Sequence, residues 1–299
     1  MNSRLLNRHK WAYLTQGIVR RLWYSKHCPC CDCVELQTID RKFFHTLEQC
    51  SKCGILSRFP GDSSSQSLDF YQHDYAEPGL TTELPSQAEL SRLKIAGFKG
   101  SGKDFSLVVS LLQAVGIQHG DRVLDWGANW GYGTWQLRRA GFQAEGFEIS
   151  KPRAQFATKL GVVLATSLDK VHGPFDVVYS SHVLEHVDNP LAVIRYQLSI
   201  TKPSGFVIAH TPNGSADRRR YDPVSFHSNW GQVHPFLLTD KFVTNNFRMF
   251  PLFVSSVDDP DIARKWNRES QFLGSMFGAG LFFIIRNQHL SGAYSHKCA

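Results

Sequence analysis

The apolar residues of this chain follow a regular pattern from about residue 121 onward, where short apolar runs alternate with longer mixed stretches. The short runs RVLDWG, QAEGFEI, FDVVYSS and GFVIAHT predict strands, and the stretches TWQLRRAG, KPRAQFATKLG and NPLAVIRYQLSI predict helices. Pro190 opens the last of these helices, and KPSG is expected to end it. Alternation of this kind over about 100 residues predicts a doubly wound, mostly parallel sheet whose ligands bind beyond the carboxyl ends of the strands.

The pattern outside this core divides the chain into further regions. SLVVSLLQAVGI predicts a helix before the first strand, and GDSSSQS is typical of a loop. After Leu238 we expect a helix and two strands, FPLFVSSV and GLFFIIRN, that finish the sheet in antiparallel fashion. The predicted regions are residues 1–27, a basic leader; 28–60, a cysteine module; 61–118, a linker and helical cover; and 119–299, the sheet domain with a substrate-lid insertion at 212–238.

Composition and charge narrow the possible functions. Hydrophobic residues make up 42% of the 299 residues, which excludes global disorder. Of the 33 basic and 26 acidic residues, six basic and no acidic ones lie in residues 1–27, so the rest of the chain is nearly neutral and gives no strong nucleic-acid signal. No apolar run is long enough for a membrane span and no secretory signal is evident, so we expect a cytoplasmic protein.

Six of the seven cysteines lie between Cys28 and Cys53. The pairs Cys28-x-x-Cys31 and Cys50-x-x-Cys53 have the spacing of a four-cysteine zinc ribbon, in which the ion is structural because no coordination position stays open. A shifted register through Cys30 and Cys33 remains open, as do reduced thiols without metal. We prefer the first register because Pro29 then lies inside the first knuckle and Asp32 follows it, as Gly54 follows the second.

The first predicted strand of the sheet runs directly into a glycine loop. Asp125, Gly127, Asn129 and Gly131 follow one another at alternate positions, and Glu148 ends the second strand 17 residues later. Glycine allows close approach of a ligand to the backbone, and a carboxylate at the second strand can accept hydrogen bonds from ribose hydroxyls. The loop does not match the dinucleotide fingerprint G-x-G-x-x-G, which weakens the case for a pyrophosphate cofactor.

Three motifs in this order resemble those of the class I S-adenosylmethionine-dependent methyltransferases. The glycine loop is similar to their D-x-G-x-G-x-G with asparagine in the middle, FDVVYSSHVLEHVDNP resembles their fourth-strand motif, and KPSGFVIAHTPN resembles their fifth strand. The resemblance covers about residues 105–290 and implies a Rossmann-like α/β fold with a seven-stranded sheet. The competing interpretation is a Rossmann-like domain for another nucleotide.

The resemblance also implies roles for individual residues. Gly127 and Gly131 would line the methionine part of S-adenosylmethionine, Asp125 would orient its amino group, and Glu148 would hold its ribose. Residues after the third strand would lie beside the adenine, and Ser181-His182-Val183 would lie near the sulfonium. The complete predicted cofactor set is Asp125, Gly127, Asn129, Gly131, Tyr132, Glu148, Ile149, Ser167, Leu168, Ser181 and His182.

A zinc ribbon, a tyrosine-containing linker and a methyltransferase domain resemble a group of bacterial methyltransferases that act on sugars and other small metabolites. The linker LDFYQHDYAEPG, with Tyr71 and Tyr75, is similar to the aromatic linker of that group. This resemblance implies methyl transfer to a hydroxyl or a carbon of a small molecule. An RNA or protein methyltransferase that docks through the ribbon and the leader remains an alternative, as does a binding module without activity.

Histidines are the candidate bases for such a reaction, because imidazole titrates near neutral pH. His182 ends the fourth strand, and His227 and His234 lie in the insertion; Tyr75 is a positioning candidate, and a structural role is expected for His186. The insertion also carries the run Arg218-Arg219-Arg220, which could bind a phosphate or a carboxylate and thus suggests an anionic substrate. A solvated charge run is the alternative.

Overall fold

The computed structural model describes residues 26–62 and 83–288. The strands, in chain order, are β1 (Leu36–Lys42), β2 (His45–Cys50), β3 (Leu56–Phe59), β4 (Arg122–Trp126), β5 (Gln143–Phe147), β6 (Leu164–Ala165), β7 (Phe175–Ser181), β8 (Thr201–Pro212), β9 (Phe236–Leu237), β10 (Leu252–Ser255), β11 (Gln271–Leu273) and β12 (Gly280–Arg286). The helices are α1 (Gln87–Ile95), α2 (Ser106–Ala114), α3 (Tyr132–Arg139), α4 (Lys151–Ala157), α5 (Pro190–Ser199), α6 (Ala216–Tyr221), α7 (Pro223–Asn229), α8 (Asp240–Phe247) and α9 (Pro260–Lys265). No helix within these two ranges combines the length and the apolar character needed to cross a bilayer.

The central sheet has the strand order β11-β10-β12-β8-β7-β4-β5-β6. The five strands from β8 to β6 are parallel, whereas β12 runs antiparallel to both of its neighbours. The chain moves outward from β4 in one direction through β5 and β6, and in the other through β7 and β8. The switch point therefore lies between β4 and β7, which confirms the predicted Rossmann-like, doubly wound α/β fold. The sheet has eight strands rather than seven, because the short β11 pairs with the outer edge of β10.

Both faces of this sheet are buried, which explains the continuous apolar runs of its strands. Val177 packs on one face and Val178 on the other, and Phe282 and Phe283 divide in the same way. Successive side chains of a strand point to opposite faces, so a sheet covered on both sides has few positions where a polar residue is favourable.

The helix before KPSG ends where it was expected to end, but KPSG itself belongs to the next strand and not to a turn. Helix α5 begins as expected, with Asn189 Oδ1 accepting a hydrogen bond from Ala192 N (2.9 Å) and Pro190 in the first turn. It ends at Ser199, and Lys202–Gly205 already lies within β8. The register between β7 and β8 shifts in this region, which absorbs the turn-like residues without ending the strand pairing.

The cysteine module is joined to the sheet domain through a shared strand. Its sheet has the order β1-β2-β3-β9, and β9 comes from the predicted insertion: Leu56 pairs with Leu237 and Ser57 with Phe236. Thr239 Oγ1 also donates to the carbonyl of Gly54 (2.9 Å). Segments far apart in sequence therefore form one packed unit. The division into four regions stays a prediction, and most of the leader, together with residues 63–82 of the linker region, lies outside the described residues.

Candidate functional site

A cavity of about 700 Å³ opens at the carboxyl ends of β4, β5, β7 and β8, at the switch point of the sheet. This is the expected location of a ligand in a doubly wound fold. Nine of the eleven predicted cofactor residues line it: Asp125, Gly127, Asn129, Tyr132, Glu148, Ile149, Leu168, Ser181 and His182. Gly131 and Ser167 do not line it, so their predicted contact with a ligand finds no support in the geometry.

The glycine loop has a backbone conformation that most side chains would disturb. Gly127 has φ +82°, and a Cβ at this position would lie 2.3 Å from Cγ2 of Val183. Gly131 has φ +80° and precedes α3 as its N-cap residue, where a Cβ would lie 2.9 Å from that of Ala157. A glycine is thus required at this position because the start of α3 packs closely on α4, rather than for contact with a ligand. Asn129 also has a positive φ, 53°, and so takes the left-handed conformation that glycine usually supplies at this position.

Glu148 joins the end of β5 to the glycine loop. The backbone N–H of Asn129 donates to its Oε2 (2.9 Å), and the backbone N–H of Ser150 donates to its Oε1 (2.8 Å). Burial raises the pKa of Glu148, against the lowering effect of these hydrogen bonds and of nearby Arg153. Each carboxylate oxygen has a second lone pair, so a side chain held in this way can still accept hydrogen bonds from a ligand in the cavity.

Asp125 is the second buried carboxylate of the loop. Thr134 Oγ1 donates to its Oδ2 (2.8 Å), which fixes the side chain at the start of α3. Burial raises the pKa of Asp125 to about 6, and the charge of Glu148 adds to the rise. A cationic group of a ligand beside this carboxyl would favour its ionised form.

His182 occupies the other half of the cavity, at the end of β7. Its φ is +52°, unusual for a residue other than glycine, and its backbone N–H donates to the carbonyl of His210 (2.8 Å). Nδ1 lies 3.1 Å from Oε1 of Glu185, and this hydrogen bond raises the pKa of His182. The side chain is 54% exposed and its ring lies 5.1 Å from that of His210. A buried carboxylate therefore orients an imidazole that faces the cavity.

Glu185 is completely buried and connects three polar groups. Besides His182, it accepts a hydrogen bond from Thr211 Oγ1 (3.0 Å) at Oε2, and Nε2 of His186 lies 3.9 Å from Oε1. Burial alone would raise the pKa of Glu185, but the hydrogen bond with His182 and the proximity of His186 outweigh it and bring the pKa to about 2. Burial lowers the pKa of His186, whose Nδ1 lies 2.7 Å from the carbonyl oxygen of Val233.

Among the described residues, the catalytic candidates His227 and His234 do not line the cavity. His227 Nδ1 lies 2.8 Å from Asp40 Oδ2 on β1, so this histidine connects the insertion to the cysteine module. His234 Nδ1 lies 2.7 Å from the carbonyl oxygen of Asn229, and its ring lies 5.0 Å from that of His186. Tyr75 and Tyr71 lie outside the described residues.

The arginine run of the insertion is not a clamp at this cavity. Arg218 is buried and donates to Asp222 Oδ2 and Ser225 Oγ, both at 2.9 Å, while Arg220 forms an ion pair with Asp217. None of the three arginines lines the cavity. The structure thus removes the observation from which we inferred an anionic substrate. The reason is local, because acidic residues of the same segment pair with two of the three arginines, Arg218 and Arg220.

Several cavity residues have no clear signal in the sequence. His210 lies near the carboxyl end of β8 and Asp258 follows β10, and both line the half of the cavity that contains His182. Tyr179 lines it from β7, and burial raises its pKa. The segment 102–108, at the start of α2, contributes another wall. His210 could have been anticipated from its position at the carboxyl end of a predicted strand, whereas Asp258 follows only from the strand order.

The cysteines form a second site, away from the cavity. Cys28 Sγ lies 3.5 Å from Cys53 Sγ, Cys31 Sγ lies 3.6 Å from Cys50 Sγ, and all four sulfurs lie within 4.8 Å of one another. Each knuckle closes with a residue of positive φ, Asp32 (56°) and Gly54 (82°), whose N–H donates to the carbonyl of the first cysteine of its pair. The four clustered sulfurs are those of the preferred register. Cys33, which belongs to the shifted register, is not part of the cluster, and its Sγ lies 3.7 Å from Ser51 Oγ.

Comparison with known proteins finds similar sequences for part of this chain. Residues 101–242, just under half of the chain, match the family described as a methyltransferase domain. A ubiquinone biosynthesis O-methyltransferase of Bordetella pertussis is 29% identical over 112 residues, which is 34% of this chain and 46% of the relative. The corresponding protein of Vibrio campbellii is 33% identical over 105 residues, 31% of this chain and 45% of the relative. The matched part thus spans less than half the length of these relatives.

Solved structures include similar chains of low identity. The magnesium protoporphyrin IX methyltransferase of Synechocystis PCC 6803, with bound S-adenosylmethionine, has a TM-score of 0.46 and 15% identity, covering 76% of this chain and all of that one. A possible histamine N-methyltransferase of Thermotoga maritima has a TM-score of 0.41 and 18% identity, covering 67% and 95%. By the family match, residues 101–242 are similar to a methyltransferase domain.

Proposed function

We propose that this protein transfers a methyl group from S-adenosylmethionine to a small-molecule acceptor, at a hydroxyl or a carbon. The observation that carries the proposal is the combination of Gly127, Glu148 and Asp125 around one cavity at the switch point. The whole chain's activity and acceptor are part of this proposal, because the curated relatives match over less than half of their length.

The residues present fit this cofactor. The loop has a glycine whose Cβ would meet Val183, and two buried carboxylates lie at the ends of β4 and β5. Asp125 would receive the amino group of the methionine part, and Glu148 would accept hydrogen bonds from the ribose hydroxyls. The cavity volume lies within the range of about 300–1,000 Å³ that is typical of small-molecule sites. When bound, the sulfonium supplies an activated methyl group.

The rest of the chemistry depends on the residues of this chain. Transfer of a methyl group from a cation requires mainly that donor and acceptor are held in line, with water kept out. The part of the cavity on the opposite side of the switch point from Glu148 is lined by His182 after β7, His210 on β8 and Asp258 after β10. An acceptor in this half would meet polar side chains, which favours a hydroxyl over an unactivated carbon. His182, oriented by Glu185, is our candidate for the group that takes the hydroxyl proton.

A structural zinc ion in the four-cysteine cluster belongs to the same proposal. Zinc–sulfur bonds of about 2.3 Å place the sulfurs of a tetrahedral site about 3.8 Å apart. The sulfur–sulfur distances of 3.5 Å for Cys28–Cys53 and 3.6 Å for Cys31–Cys50 approach this value. Four cysteine ligands leave no position for a substrate, so the ion would stabilise the module and its contact with the sheet domain. Metal analysis of the folded protein should give about one zinc per chain, and reduced thiols without zinc would contradict this part.

Calorimetry with S-adenosylhomocysteine tests the cofactor site. Glu148→Ala removes the carboxylate at the cavity, while Glu145→Ala is the matched control, because Glu145 lies on the same strand but pairs with Arg122 outside the cavity. We expect the first change to weaken binding by about 1–3 kcal/mol, the value of hydrogen bonds to a charged group, and the second to leave it unchanged. Absence of binding to the unaltered protein, or equal affinities of the two variants, would refute the proposal.

A further inference from the structure

A group of nitrogen and oxygen donors at the wall of the cavity has no role in cofactor binding as proposed above. A carboxylate oxygen of Glu185 and one ring nitrogen each of His186 and His234 lie within 4.8 Å of one another. His186 lines the cavity, and His234 lies behind it in the insertion. The three residues come from two segments that are about 50 residues apart in sequence, so the fold, not local sequence, brings them together.

The hydrogen bonds of the two histidines determine which nitrogen of each ring carries the proton. In both rings Nδ1 lies 2.7 Å from a backbone carbonyl oxygen, that of Val233 for His186 and that of Asn229 for His234. A carbonyl can only accept, so each Nδ1 is the donor and each neutral ring presents Nε2 as a Lewis base. Backbone carbonyls commonly orient metal-binding histidines in this manner, with the other ring nitrogen bound to the ion.

The carboxylate is oriented in a compatible way. Thr211 holds Oε2 of Glu185, and Oε1, which already accepts a hydrogen bond from His182, also faces Nε2 of His186 at 3.9 Å. A cation would therefore bind Oε1 through its second lone pair. Ligands bonded to one ion at about 2.1 Å are about 3.0–3.4 Å apart, so side-chain movements of roughly 1 Å would close the site. Glu185 has no exposed surface, and a buried carboxylate is stabilised by a cation bound directly to it.

We propose that Glu185, His186 and His234 bind a divalent cation at the wall of the cavity. Two imidazoles and one carboxylate favour a transition-metal ion such as Mn²⁺, Fe²⁺, Co²⁺ or Zn²⁺ over Ca²⁺, which prefers oxygen ligands throughout. Three protein ligands leave coordination positions open, and those on the side of His186 face the cavity. An acceptor with a hydroxyl group could bind there and be made more acidic by the cation. This last step rests on the proposed function, whereas cation binding does not.

Titration with Mn²⁺ tests the site without any acceptor. Mn²⁺ prefers nitrogen and oxygen ligands to thiolates, so it should leave the cysteine cluster unaltered, and the zinc content before and after titration serves as a check. The free ion is measured by electron paramagnetic resonance, with unaltered protein, His234→Ala and His186→Asn. His227→Ala is the matched control, because this histidine lies in the same insertion but pairs with Asp40.

We expect one Mn²⁺ per chain, an affinity at least about tenfold lower in His234→Ala and His186→Asn, and no change in His227→Ala. Electron spin echo spectra of Mn²⁺ on the unaltered protein should show coupling to imidazole nitrogen, a readout that needs no variant. Lack of Mn²⁺ binding, equal affinity in all variants, or bound Mn²⁺ without nitrogen coupling would each overturn the proposal. S-adenosylhomocysteine affinity, measured in parallel, shows separately whether the proposed function holds.

Discussion

Replacement of Gly127 by alanine tests how closely the glycine loop is fitted to its surroundings. The change has two costs that the structure separates. An L-residue at φ +82° loses about 1–2 kcal/mol in the left-handed region, and the new Cβ would lie 2.3 Å from Cγ2 of Val183. Overpacking of this kind costs a further 1–3 kcal/mol, so we expect a loss of about 2–5 kcal/mol in the free energy of unfolding.

Gly161 supplies a matched control for the backbone cost. It has φ +73°, and a Cβ there meets nothing within 4 Å, so Gly161→Ala should lose only about 1–2 kcal/mol. Val183 lines the cavity beside the predicted cofactor contacts. In Gly127→Ala, Val183 must move away from the new Cβ, which displaces a wall of the site. We therefore expect this variant to bind S-adenosylhomocysteine at least about tenfold more weakly. Affinity should be unchanged in Gly161→Ala.

Chemical denaturation measures the free energies and calorimetry the affinities. Val183→Ala in the Gly127→Ala background removes the clashing methyl group, so the double variant should recover part of both losses, a positive coupling between two residues in contact. The reasoning is wrong if the two glycine variants lose equal stability and bind the ligand equally, or if Val183→Ala restores neither quantity.

Three further predictions follow from the two sites. The pKa of Asp125 is raised to about 6, so its carboxyl is protonated below this pH and ionised above it. S-adenosylhomocysteine has a cationic amino group, so calorimetry should show tighter binding as the pH rises through 6. Asp125→Asn should lose that dependence, while any contribution from Glu148 remains. His182→Ala should lower kcat at least about 100-fold with little change in S-adenosylhomocysteine affinity, and an equal loss in both would contradict its assignment to the acceptor half. Cys50→Ser should abolish bound zinc and lower the melting temperature, because Cys50 is one of the four clustered cysteines. Cys33→Ser lies outside the cluster and should change neither quantity. Zinc retained by Cys50→Ser would exclude the preferred register.

The parts of the site that could be predicted from sequence are those carried by one strand and the loop after it. Asp125, Gly127 and Glu148 follow strands whose apolar runs are unambiguous, and the parallel pairing of β4 with β5 brings their ends together. The register of the cysteine cluster was also predictable, because the residues that close the knuckles, Asp32 and Gly54, are local to each pair.

The parts that could not be predicted depend on which strands become neighbours. His210 and Asp258 join the cavity because β8 lies beside β7 and because β10 ends on the same edge of the sheet, relations that no single segment encodes. The arginine run misled us for the opposite reason. Asp217 and Asp222 lie within the same short segment and pair with Arg220 and Arg218, so two of the three charges that we had assigned to a substrate have local partners.

The pairing of β3 with β9 has a consequence for the order in which the chain can acquire its structure. The cysteine knuckles need only residues 28–54, so they can close early during synthesis. The edge of β3 is covered only when β9, about 180 residues later, has left the ribosome. Until then a four-residue strand offers unpaired backbone groups to other chains. We therefore expect the yield of native protein to fall when translation pauses between residues 60 and 235.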